Sequence, residues 1–319
     1  MRNRIKTVAC VGAGLIGQGW TALFASKGYR VVMHDIRGST LSRGIECVRS
    51  ILDTLETNRM TGTRSPVHAR KLIQTTTSLR EAVRNAEYVQ ESVFEDYELK
   101  RRLFRMMDRY TAEHTILASS SSALLMSKIQ TAAKRPGRCL IVHPFNPAHL
   151  IPLVELVPGR LTSTETVEST YEFMKALGKV PIKVHRELPG YVANRLTAAV
   201  WREAIDLLRR GAASAEDIDK ACRFGPGIRW AVQGPFLAYH LGGGEGGIEY
   251  FMDHLTSSFE SRWRSLAKWS KLPRGARGKI VRSVKEMPAV KNVDYAELSK
   301  GRDERLVRLL RAVGTPEKW

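Results

Sequence analysis

The stretch Gly12-Ala13-Gly14-Leu15-Ile16-Gly17 constrains this chain more than any other, because it joins an apolar run at 5–11 to a helical pattern at 15–26 that Gly28 closes. G-x-G-x-x-G is a weak pattern by itself and an informative one between a strand and a helix. Gly12 permits the tight turn, Gly14 lets the backbone approach a pyrophosphate, and Gly17 allows close helix-to-strand packing. The helix N-terminus then faces the phosphates, with Leu15 and Ile16 grouped with the glycines as cofactor-contacting positions. A glycine turn of purely structural use is the competing reading. A second strand, 30–35, ends on Asp35, where a carboxylate accepts hydrogen bonds from ribose hydroxyls and repels a 2′-phosphate. NAD is therefore predicted over NADP, although Arg37 pulls the other way and Asp35 is also a residue that forms turns.

The alternation continues. Helices are predicted at 41–55, 79–86, 99–112 and 165–177, and strands at 72–75, 88–91, 115–118, 139–143, 153–156 and 180–184. Such a pattern predicts an α/β fold with a doubly wound Rossmann-type sheet, here of mainly parallel strands. Leu188-Pro189-Gly190 ends the alternation, and beyond it the segments read as helical only: 194–210, 215–222 and three or more between 249 and 311. Two domains are expected, 1–187 for the dinucleotide and an all-α domain at 188–319.

Lys and Arg number 51 against 32 Asp and Glu, a net charge of +19. Residues 260–311 hold 15 basic against 6 acidic side chains, so a large share of the excess is local. Solvated helical faces account for it, as does attraction of anionic ligands such as a dinucleotide, a carboxylate or coenzyme A. Nucleic acid is not an expected partner, since there is no zinc-finger spacing, RNP-type aromatic pattern or long basic run. Cys10, Cys47, Cys139 and Cys222 lie far apart without a C-x-x-C, which predicts neither a metal site nor a disulfide framework and suits a reduced cytoplasm. The basic start MRNRIK with the apolar run behind it imitates a signal peptide, but cleavage would delete the fingerprint. No later run of about 18 apolar residues predicts a membrane span.

The stretch IVHPFNPAHLIPLVELV, 141–157, places His143 at a strand end and Glu155 on the returning segment. Pro144 and Pro147 stiffen the turn between them, while His149 reads as a solvated loop residue. A carboxylate on one imidazole nitrogen fixes the tautomer and stabilises the imidazolium once the other nitrogen takes a proton. That equipment suits the oxidation of an alcohol. A core histidine satisfied by a nearby acid is the plainer alternative.

Further motifs accompany the pair: ASSSSAL at 118–124, HPFNP at 143–147, LVELV at 153–157 and PGYVANRL at 189–196. With the fingerprint, they resemble the 3-hydroxyacyl-CoA dehydrogenase superfamily in order and spacing over residues 5–225. The resemblance implies that His143 is the general base and Glu155 its orienting partner. It also implies that Ser122 and Asn194 hydrogen-bond the reacting oxygen, that Asn146 is a contact beside the cofactor, and that Glu91 lies near the nicotinamide ribose. Without it, Ser122 belongs to a serine-rich turn where neighbours can cap a helix, and Asn194 can be a helix N-cap. The resemblance implies a homodimer as well, with the helical domain serving substrate binding and dimerisation.

Beyond residue 221 the chain is similar to the branch of that family holding L-carnitine dehydrogenases, L-gulonate 3-dehydrogenase and lambda-crystallin. The pattern FGPGIRW, GPFLAY and GG looks closest to the carnitine enzymes. A small 3-hydroxy acid is the implied substrate. A trimethylammonium group is held by aromatic faces, and the candidate walls are Phe145, Tyr191, Trp201, Trp230, Phe236 and Tyr239, each of which can instead pack helices. Arg195 and Arg229 are the candidates to pair a substrate carboxylate, and GGGEGG at 242–247 reads as a solvated linker or a mobile lid. A gulonate, a 3-hydroxyacyl thioester and a structural role akin to lambda-crystallin stay open at this point.

Overall fold

A computed structural model describes residues 5–60 and 66–314; Arg2 and Arg4 of the leader-like start lie outside the described residues. The N-terminal half alternates strand and helix: β1 (Thr7–Val11), α1 (Leu15–Ser26), β2 (Arg30–His34), α2 (Gly38–Thr57), α3 (Pro66–Lys71), β3 (Ile73–Thr76), α4 (Leu79–Val83) and β4 (Tyr88–Glu91). It continues through α5 (Tyr97–Tyr110), β5 (Ile116–Ser119), α6 (Met126–Ile129), β6 (Cys139–Pro144), β7 (Leu153–Pro158), α7 (Thr164–Ala176) and β8 (Val180–Lys183). All eight strands form one sheet in the order β3-β2-β1-β4-β5-β6-β7-β8.

β1 to β6 run parallel, so their C-terminal ends reach one edge of the sheet. β1 lies between β2 and β4, which makes the β1/β4 boundary the point where the winding reverses and the place where such sheets bind ligands. β7 turns back antiparallel to β6, with His143 directly opposite Glu155. β4 and β6 are buried at every position, as expected of strands covered by helices on both faces. Trp20 and Phe24 of α1 stack with each other, and Phe24 stacks on Phe173 of α7, which pins those helices to one face.

The chain divides into two compact units, Met1–Arg195 and Leu196–Trp319. The division falls in the first turn of α8 (Ala193–Arg210), a few residues beyond the Leu188-Pro189-Gly190 punctuation. The second unit contains the rest of α8, α9 (Ala215–Cys222), α10 (Ile228–Val232), α11 (Pro235–Gly242), α12 (Gly247–Ser265), α13 (Ala276–Glu286) and α14 (Tyr295–Val313). Ser214 and Asp294 cap α9 and α14 through their side chains. Asp206 of α8 accepts from Arg209 and from the Trp269 indole.

GGGEGG is a tight connection between α11 and α12. A Cβ on Gly243 would lie 1.8 Å from the Gly247 carbonyl oxygen. The Ile248 N–H donates to His240 Nδ1 at 3.1 Å, which fastens the start of α12. The structure therefore shows a short turn here, buried at Gly243 and Gly247 and exposed at its other four positions.

Candidate active site

Gly12 sits at φ +106°, a backbone region that only glycine adopts without strain, and its N–H donates to the His34 carbonyl at 2.8 Å. A Cβ on Gly17 would stand 1.8 Å from the Gly12 carbonyl oxygen, so α1 meets the turn at backbone distance. Around Gly14, by contrast, a Cβ would meet nothing within 4 Å, and no side chain caps α1. Open space above an uncapped helix N-terminus fits a dinucleotide pyrophosphate. Leu15 is exposed at this turn, and Ile16 packs partly against the core.

Asp35 has a task that the sequence pattern did not single out. One oxygen accepts from the Ala13 N–H at 3.1 Å and the other from the Arg37 N–H at 3.2 Å. The acid at the end of β2 thus holds the fingerprint turn in place. A carboxylate has about four acceptor sites, so two remain for ribose hydroxyls.

Glu91 is placed differently from its expectation. It is fully buried; Lys100 pairs with one oxygen at 2.7 Å, which also accepts from the Val93 N–H at 2.6 Å, and the Ser119 hydroxyl donates to the other at 2.6 Å. The acid at the open edge is Glu95, four residues on in ESVFE. Its Oε1 accepts from the Ser121 hydroxyl at 2.6 Å and from the N–H groups of Ser122 at 2.8 Å and Ala123 at 3.0 Å. Burial opposes ionisation of Glu95, but these hydrogen bonds and the Lys100 charge hold its carboxyl below the usual range. A second acid close behind the first was the one sequence signal for it.

At the end of β6, His143 Nδ1 lies 2.7 Å from Glu155 Oε2. The antiparallel register accounts for the distance, since side chains directly opposite on such strands have Cβ atoms about 5 Å apart. The other Glu155 oxygen accepts from the Val192 and Ala193 N–H groups at 2.9 and 3.0 Å, at the start of α8. Glu155 is fully buried; burial pushes its carboxyl up, yet the His143 contact and the two N–H donors outweigh that and hold it below the usual range. An ionised acid on Nδ1 puts the neutral ring's lone pair on Nε2.

Phe145 and Tyr191 meet the imidazole edgewise, with centroids 5.2 and 5.5 Å away. Tyr191 is 1% exposed and donates its hydroxyl to the Leu124 carbonyl at 2.6 Å, so it packs against His143 as a buried support and is not an open wall. Its φ of +51° is strained for a non-glycine residue. Asn194 Nδ2 donates to the Ser122 carbonyl at 3.2 Å, while the Ser122 hydroxyl faces Glu95 at 3.4 Å. Ser122 and Asn194 are thus brought together. Asn146 is exposed on the turn after β6, and His149 is half-buried on the same connection.

Of the remaining candidates, Arg195 is exposed and reaches the Pro189 carbonyl at 3.5 Å. Trp230 and Tyr239 belong to the second unit. Tyr239 packs with Phe251 and Phe259 at 4.9 and 5.2 Å, which makes it part of a helix-to-helix aromatic cluster. Trp201, Trp230 and Phe236 are exposed. No group of three or more His, Cys, Asp or Glu residues suited to a metal occurs among the described residues. Likewise, none of their helices is long and apolar enough to cross a membrane.

Residues 7–188 match the model of the 3-hydroxyacyl-CoA dehydrogenase NAD binding domain, and 190–283 that of the same family's C-terminal domain. The chain is 41% identical to an L-carnitine dehydrogenase of Nocardiopsis dassonvillei over 98% of its own length and 93% of that protein. It is 39% identical to an L-carnitine dehydrogenase of Streptomyces griseus, covering 97% and 90%. Among solved structures it is similar to a 5-formyl-3-hydroxy-2-methylpyridine 4-carboxylic acid 5-dehydrogenase, an NAD+-dependent dismutase, with a TM-score of 0.84 at 26% identity over 97% and 99% of the two chains.

Proposed function

The chain belongs to the 3-hydroxyacyl-CoA dehydrogenase family and is an NAD-dependent oxidoreductase acting on a CH–OH group, and from that premise we propose that it oxidises L-carnitine to 3-dehydrocarnitine. The substrate rests on the carnitine enzymes matched along nearly the whole chain. The mechanism rests on one observation, the pairing of His143 with Glu155 across β6 and β7.

In this mechanism His143 Nε2 removes the proton of the substrate's 3-hydroxyl. Glu155, ionised and fixed by two backbone donors, stabilises the resulting imidazolium through Nδ1. Ser122 and Asn194 polarise and orient the reacting oxygen. The Gly12–Gly17 turn and Asp35 hold NAD, and Asn146 and Glu95 lie along its nicotinamide side; Glu95 takes the place first given to Glu91. When bound, the nicotinamide supplies the hydride acceptor. Phe145 beside His143 is the aromatic face offered to the substrate, with Arg195 as a further contact.

We assign residues 188–319 to substrate binding and dimerisation. NADH formation followed with L-carnitine, L-gulonate and 3-hydroxybutyryl-CoA tests the substrate. Turnover of carnitine well above the other two is expected, and preference for the thioester or the sugar acid would replace it.

A further inference from the structure

The Ser120 hydroxyl lies at the centre of a polar cluster behind the fingerprint. Trp20 Nε1 approaches it at 3.2 Å, Gln90 Nε2 at 2.8 Å and Ser92 Oγ at 2.8 Å. The Gln90 amide has one orientation: its Nε2 also lies 3.2 Å from the Val142 carbonyl, which only accepts, and its Oε1 receives the Tyr88 hydroxyl at 2.7 Å. Trp20, Tyr88 and Gln90 are fully buried, so these directions are not traded with solvent.

A serine oxygen has two lone pairs and one proton. An indole and an amide fill both lone pairs of Ser120, so its proton passes to Ser92 Oγ. Ser92 then keeps its own O–H, for which the described residues offer no further acceptor. Ser92 follows β4 at the β1/β4 boundary: its N–H donates to the Val11 carbonyl at 2.7 Å, and a Cβ on Gly17 would lie 3.8 Å from the Ser92 Cβ. The half-exposed hydroxyl therefore stands against the first turn of α1, on the side of β1 away from β2 and Asp35.

We propose that Ser92, oriented by the Trp20–Gln90–Ser120 cluster, donates its hydroxyl hydrogen bond to an oxygen on the nicotinamide side of the bound dinucleotide. The adenosine half is held by Asp35 at the end of β2, which leaves the half over β4 to Ser92. This rests on NAD binding at the fingerprint and adds to it a polar contact outside the glycine turn.

Ser92→Ala tests the assignment by titration of NADH fluorescence, with AMP binding measured by calorimetry on the same protein. A Kd for NADH about tenfold weaker is expected, the scale of one lost hydrogen bond to a polar or anionic acceptor, with AMP unchanged. Unchanged NADH affinity, or an equal loss for AMP, would overturn it. In Ser120→Ala the Ser92 hydroxyl loses its orienting donor, so the double variant should bind NADH as Ser92→Ala does. A loss equal to the product of the single effects would remove the cluster's role. If the unaltered protein failed to bind NADH, the fault would lie with NAD binding at the fingerprint and not with Ser92.

Discussion

His143 is supported by residues two, twelve and forty-eight positions further along the chain: the Phe145 ring, Glu155 at Nδ1, and the Tyr191 ring. Replacing it with Gln retains size and polarity but removes the base. Turnover is expected to fall by ~10² to 10⁴-fold, with NADH affinity by fluorescence unchanged. The dyad was legible because a histidine and a glutamate stood on two short apolar strands with a stiff turn between them. The choice between Glu91 and Glu95 was not, because one ends β4 and the other lies four residues beyond it, and the pairing of Lys100 with the first depends on the fold. The backbone donors of Val192 and Ala193 to Glu155 were equally hidden, since N–H groups carry no sequence signature.

The elements that position these residues have their own sensitivities. Gly17→Ala would drive a methyl group into the Gly12 carbonyl, which is backbone and cannot rotate away. A loss of about 1–3 kcal/mol in stability is expected from such overpacking, together with weakened NADH binding, measurable by thermal unfolding and fluorescence. Lys179, just before β8, donates to the Ala148 and Ile151 carbonyls of the β6–β7 connection, and its ammonium lies 5.5 Å from the Trp20 ring. Burial, with Lys27 nearby, pushes it from 10.5 down to about 7. A neutral amine still has two N–H groups for the two carbonyls, so deprotonation keeps the clamp. Between about 7 and 10.5 the unfolded chain binds the proton that the folded one lacks, so this group's contribution to stability rises with pH. The slope is at most about 1.4 kcal/mol per pH unit. Melting temperatures of the unaltered protein and Lys179→Met at pH 7 and 9.5 should therefore shift in favour of the lysine at the higher pH. Apolar runs and glycine stops revealed every strand and the long helices of the first unit. Met126–Ile129 and Pro66–Lys71 span fewer than two turns each, too short for a helical period to show. In the second unit, Gly234-Pro235 was a start signal for α11 that the surrounding glycines obscured.

At the scale of the whole molecule, the second unit displays many large apolar side chains: Phe236 is 87% exposed, Phe224 64% and Trp263 57%. Monomers rarely leave so much apolar surface to water, and a second copy of the chain is the proposed cover. Light scattering should give twice the mass of one chain, and Phe236→Glu with Trp263→Glu should shift the population toward single chains. The first unit runs past residue 187 to Arg195. A fragment ending at residue 187 would keep the glycine turn, Asp35 and both partners of the dyad, yet lose Tyr191, Val192, Ala193 and Asn194. Its acid would be left with one oxygen unclaimed and its imidazole without a floor. Such a fragment should still take up dinucleotide while failing to turn over any alcohol, so a simple truncation would separate possession of the coenzyme from its use.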